Sequence, residues 1–128
     1  MNYFNEADFR CRCGCGQAIV HHELLNMLNV ARWKAGIPFF VKSGYRCKPH
    51  NTKIGGALTS AHLKGLAADI ATKSSTARMQ IIAGLIYAGF TRIGIAQLFV
   101  HVDMDTEKVH NVMWLYPETE EVFNGQTA

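Results

Sequence analysis

The sequence predicts an α+β fold: a small antiparallel sheet flanked by helices. Residues 21–36 (HHELLNMLNVARWKAG) place Leu24, Leu28 and Ala31 at helical spacing, with Leu25 alongside. Three short runs of strand-like composition, 92–96, 98–104 and 112–116, follow one another towards the C-terminus. Helices and strands do not alternate as parallel crossovers would require, so antiparallel pairing is expected.

The elements follow in order. Gly36 is a natural stop for the first helix. IPFFVKSG (37–44) reads as a strand that opens at a proline and closes at a glycine. YRCKPHNTKIGGALTS (45–60) is rich in Pro, Gly, Asn and Thr, and its length marks it as a functional loop. A second helix is expected over 75–88, with Ser74 or Ser75 as N-cap and Gly89 after its end. The acidic tail ETEEVFNGQTA, from about 117, reads as solvated and frayed.

A chain of 128 residues is expected to form one domain, 1–128, with a real core, and to act as a monomer. Its 48% hydrophobic and 18% charged residues exclude a disordered class. No apolar run approaches the roughly 18 residues of a membrane span, so no membrane insertion is expected. MNYFNEADFR lacks the layout of a signal peptide. Synthesis in the cytoplasm follows as the expectation, with any target outside the cell reached by another route.

Charge is uneven. Residues 1–56 carry eight Lys/Arg against three Asp/Glu, and 57–128 carry five against seven. A basic half suits an anionic partner, although a neutral enzyme can show the same by chance. Basic residues are not clustered with interleaved aromatics, so no nucleic-acid partner is expected. The cysteines are Cys11, Cys13, Cys15 and Cys47. The spacing in CRCGCG is not the C-x-x-C of ribbon or knuckle sites, which favours free thiols or a single bridge through Cys47 over a Cys₄ zinc site.

The stretch LTSAHLKGLAADIA (58–71) sets His62 and Asp69 seven residues apart. On one straight helix that separation spans about 10.5 Å, too far to share an ion comfortably. Gly65 offers a solution: a turn around His62–Gly65, then a strand LAADIA carrying Asp69. A third ligand would be a histidine on an adjacent element, and His101 lies inside the apolar run FVHVDM. Alternation puts Phe99, His101 and Asp103 on one strand face. A histidine in such a strand is, by itself, more often a satisfied buried residue than a ligand. Asp69 alone could equally end a turn or a strand. Three protein ligands with an open fourth position would make a catalytic zinc site.

SGYRCKPHN, TSAHLKGLAADI and FVHVDM, in that order, resemble the zinc peptidases of the D-Ala-D-Ala carboxypeptidase type. That family includes phage endolysins that cut peptidoglycan peptides, and its fold is related to the hedgehog signalling domain. The resemblance runs from roughly Phe9 to Tyr116. It implies one Zn²⁺ held by His62, Asp69 and His101, with water in the fourth place. It implies that Arg46 holds a substrate carboxylate or carbonyl beside the metal, and that Ser60 touches substrate or a metal ligand. His50 and Asn51 match the loop pattern as scaffold. The implied partner is the peptidoglycan stem peptide, met at the cell wall after release, as in phage or prophage lysis. Many members carry an acidic residue or histidine two to six positions before the last ligand; here Ile95, Ala96, Gln97, Leu98 and Phe99 stand there. Asp103 is then the nearest carboxylate, a candidate base, a partner orienting His101, or a strand-end cap. The alternative is a zinc-containing wall-binding or phage structural module that has lost catalysis.

Overall fold

The computed structural model describes residues 2–117. Its two long helices, α1 (His22–Ala35) and α3 (Ser75–Ala88), fall where their periodicity and stop signals place them. Each ends at a left-handed glycine, Gly36 and Gly89. Ser74 is the residue that caps α3, its Oγ accepting from the Ala77 amide at 3.0 Å.

Five strands form one sheet in the order β1-β2-β4-β3-β5: β1 Val41–Ser43, β2 Ala67–Ala71, β3 Arg92–Ile95, β4 Phe99–Asp103 and β5 Val112–Leu115. The fold is α+β, as the sequence predicts. The sheet is not purely antiparallel, however. β1–β2, β2–β4 and β4–β3 pair antiparallel, while β5 lies parallel to β3. The chain leaving β4 reverses across the end of β3, so β5 runs against β4 and therefore along β3. Local composition carries no information about which neighbour a strand finds.

Two further expectations need correction. The strand expected over 37–44 is only Val41–Ser43, and its pairing with β2 shifts register between those residues. The expected loop 45–60 contains a short helix, α2 (Lys48–Lys53), opened by a proline in its first turn. Six residues without apolar periodicity give no helical signal. No disulfide joins Cys11, Cys13, Cys15 and Cys47.

Alternation splits the sheet into two chemically different faces. Ala68, Ile70, Ile93, Val100 and Val102 point to α1 and α3 and join Leu24, Leu28, Ala31, Ile81 and Leu85 in one core. Asp69 and His101, one residue out of phase, point to the other face. β4 is buried along its whole length, because it is central in the sheet and covered on both sides.

The two long helices meet at Gly84. A Cβ there would stand 2.4 Å from the Ala31 carbonyl oxygen and 3.1 Å from the Ala35 Cβ. Alanine would gain up to about 1 kcal/mol in helix propensity, but overpacking against rigid backbone costs about 1–3 kcal/mol. Gly84→Ala is therefore expected to lower the urea midpoint without changing the slope; an unchanged midpoint would show that the helices separate freely.

Candidate metal centre

Antiparallel pairing sets Asp69 of β2 directly opposite His101 of β4. The row extends to Ser43 on β1 and Gly94 on β3, and from Gly94 to Trp114 on β5. Residues in register share a face, so this row crosses the sheet on the side away from the long helices. Gly94 leaves a gap that the Trp114 ring fills: a Cβ there would be 2.6 Å from the indole. The ring centroids of Trp114 and His101 are 5.6 Å apart.

His62 reaches the same place from a different element. It lies in a 3₁₀ turn, Ala61–Lys64, whose cap is Ser60; the Ser60 Oγ accepts from the His62 amide at 3.2 Å. Gly65 then adopts φ 70°, which reverses the chain into β2. Its carbonyl accepts from the His21 amide at 2.9 Å, tying the turn to the start of α1. The reversal is what brings together two residues seven apart in sequence.

The potential ligand atoms of His62, Asp69 and His101 all lie within 4.8 Å of one another. Both histidines are fully buried and Asp69 is 3% exposed. The His62 Nδ1–H donates to the Gly44 carbonyl at 2.6 Å, which leaves Nε2 as a lone pair in the neutral ring. That Nε2 has no hydrogen-bond partner and sits 3.4 Å from the Asp69 Oδ1. Two ligands of one tetrahedral zinc, each about 2.0 Å from it, would stand about 3.3 Å apart. His101 lies between two carboxylates, with Nδ1 2.8 Å from Asp69 Oδ1 and Nε2 2.7 Å from Asp103 Oδ2. A neutral ring can donate to one of them only. A cation shared by Nδ1 and Asp69, with Nε2–H donating to Asp103, satisfies every atom. The donor set fits a metal ion.

Titration follows the same geometry. Burial lowers the His62 pKa below its ordinary value, and Asp69 only partly offsets this. Burial acts in the same direction on His101, but its hydrogen bonds to Asp103 and Asp69 outweigh that effect and raise its pKa. Burial would raise the Asp69 pKa, yet the two histidines hold it well below the carboxylate range.

The remaining sequence candidates take distinct places. Arg46 is 2% exposed, with Nη2 3.7 Å from Asp69 Oδ2 and Nη1 donating to Asn51 Oδ1 at 3.2 Å. It borders the ligands while also balancing their carboxylate. Ser60 is fully buried, and its oxygen is engaged in capping the turn that carries His62. Asp103 is fully buried too. Its Oδ1 accepts from Arg92 Nε at 2.8 Å and from the Asp105 amide at 3.1 Å, while Oδ2 faces His101. With both oxygens engaged and one of them on the His101 ring, Asp103 is placed to orient His101. The sequence reading did not find Arg92 or Trp114. The alternation of Trp114 and Tyr116 in VMWLY was the available signal for an aromatic face.

A family model described as Peptidase M15 matches residues 2–103. The chain belongs to that family, whose members are zinc-dependent metallopeptidases. No match was found among curated proteins.

Two substitutions probe the centre. His62→Ala or His101→Ala should lower the zinc content of the purified protein, read by metal analysis; wild-type content in both would overturn the ligand assignment. Asp103→Asn keeps all three ligands but loses the carboxylate that orients His101, and zinc affinity should fall about 10–100-fold in a chelator competition.

Proposed function

We propose that the protein is a zinc-dependent peptidase that hydrolyses peptide bonds of peptidoglycan. It would act as a D-Ala–D-Ala carboxypeptidase or an L-Ala–D-Glu type endopeptidase in phage or prophage lysis, at the wall after release from the cytoplasm. The observation that carries the reading is the buried His62 Nε2, without a hydrogen-bond partner and facing Asp69 and His101, in a chain of this peptidase family. The excess of Lys and Arg in residues 1–56 suits a wall polymer rich in carboxylates.

His62, Asp69 and His101 would hold the zinc, which when bound would supply a Lewis acid and a water that ionises near neutral pH. The protein supplies the setting. Gly44 and Asp103 fix the tautomers of the two histidines, so that His62 Nε2 and His101 Nδ1 present lone pairs. Arg46, beside Asp69, places a fixed positive charge where negative charge develops on the scissile carbonyl or stands on a terminal carboxylate. Trp114 screens one side of His101 from solvent.

One observation favours a second reading, a zinc-containing wall-binding or phage structural module without catalysis. Among the described residues, Asp69 is the one carboxylate in the His62–His101 cluster, and Asp103 has both oxygens occupied.

The deciding experiment is mass spectrometry of purified peptidoglycan fragments incubated with zinc-loaded protein and with a chelated control. A zinc-dependent new fragment is expected, its mass naming the bond cut; intact fragments from zinc-loaded protein would transfer support to the binding module. In an active preparation, Arg46→Ala should lower turnover at least tenfold with little loss of zinc. Full activity in that variant would remove the role given to Arg46.

A further inference from the structure

CRCGCG is not absorbed by the reading above, and in the folded chain it does not stand alone. The loop it forms closes through the Cys11 amide donating to the Gln17 carbonyl at 2.8 Å. Within it Gly14 and Gly16 take φ of 90° and 85°, which coils the chain where an extended strand would hold the thiols in a line. Cys47, the residue before α2, arrives from 32 or more positions further along and completes the group.

The Sγ atoms of Cys11, Cys13, Cys15 and Cys47 all lie within 4.8 Å of one another. Cys11 is 3.5 Å from Cys13 and 3.7 Å from Cys47, and Cys13 is 3.6 Å from Cys47. Sulfurs about 2.3 Å from a tetrahedral zinc stand about 3.8 Å apart, whereas a disulfide requires about 2.05 Å. The three edges among Cys11, Cys13 and Cys47 match the first figure, and Cys15 lies within 4.8 Å of each. The Cys47 backbone N–H also points at the Cys11 Sγ, at 3.4 Å, as an amide does towards a sulfur carrying negative charge. Four soft donors and no acid or histidine among them select zinc over calcium or magnesium.

We propose that Cys11, Cys13, Cys15 and Cys47 form a second, structural zinc site, separate from the His62–Asp69–His101 centre. Four protein ligands close the coordination shell, so the site stabilises and does not catalyse. What it fastens is specific. It joins the N-terminal segment to the residue that follows Arg46, at a point where the Tyr45 amide already donates to the Phe9 carbonyl at 2.9 Å. The clamp therefore fixes the backbone that carries Arg46 to the metal centre. The one-residue spacings that argued against a zinc site matter only for a straight chain; two left-handed glycines remove the objection.

The test is a zinc count on full-length protein purified under reducing conditions with zinc present. Two zinc ions per chain are expected in the wild type, one in His62→Ala, and one in the double variant Cys13→Ser/Cys15→Ser. Both substituted cysteines are exposed, so the core is left intact. With cobalt replacing zinc, His62→Ala should keep an intense sulfur-to-cobalt charge-transfer absorption that the cysteine variant lacks. A wild type holding one zinc that His62→Ala removes would overturn the proposal, as would a disulfide among these cysteines in peptide mapping. A further readout needs no substitution: in the zinc-loaded wild type all four thiols should resist a thiol reagent until a chelator is added, and immediate reaction of all four would overturn the site. None of these readings depends on whether the protein cleaves peptidoglycan.

Discussion

The register that sets Asp69 opposite His101 is the constraint on which the rest of the site depends. A slip of one residue by either strand would turn its member of the pair into the apolar core and its apolar neighbours outwards. The core between the sheet and the two long helices therefore holds the candidate metal centre in place without touching it. Every apolar residue that anchors β2 or β4 on the helix face also fixes the direction of a ligand on the other. Asp69 and His101 are held precisely because they stand on interior strands and not on a loop tip.

Around this pair, buried charge is balanced locally. Asp69 faces Arg46, and Asp103 faces Arg92. Unpaired, either carboxylate would be costly to bury. Paired, each still directs an oxygen at His101. The imidazole is held from both sides, one carboxylate sharing the ligand position and the other selecting the tautomer. Asn51 extends the chain outward by receiving Arg46 and donating to the Ala57 carbonyl at 3.0 Å. A Cβ at Gly56 would stand 2.0 Å from the Asn51 Oδ1, so the tightness of that loop serves the arginine and through it the metal ligands.

His62 belongs to none of the strands. It depends on a capped turn and on Gly65, and its Nδ1 is fixed by the carbonyl of Gly44, the residue just after β1. Arg46 follows two positions later, and its amide donates to the His62 carbonyl at 3.1 Å. The segment 44–47 thus touches the His62 turn, the arginine clamp and the four thiols within four residues. Rigidity in this segment is what the metal centre requires of the N-terminal half.

The sequence by itself determined the elements with strong local signals and singled out His62, Asp69 and His101 as candidate ligands. Helical spacing and glycine stops place α1 and α3, and alternation in FVHVDM puts His101 and Asp103 on one strand face, because these signals are written in neighbouring residues. Only the tertiary structure decided what depends on distant partners. The parallel seat of β5, the engagement of both Asp103 oxygens, the use of Ser60 as a cap and the convergence of Cys47 on CRCGCG all join segments that carry no mark of each other. A side chain's role follows from what it faces, and what it faces across a sheet or a loop is set by the packing of the whole chain.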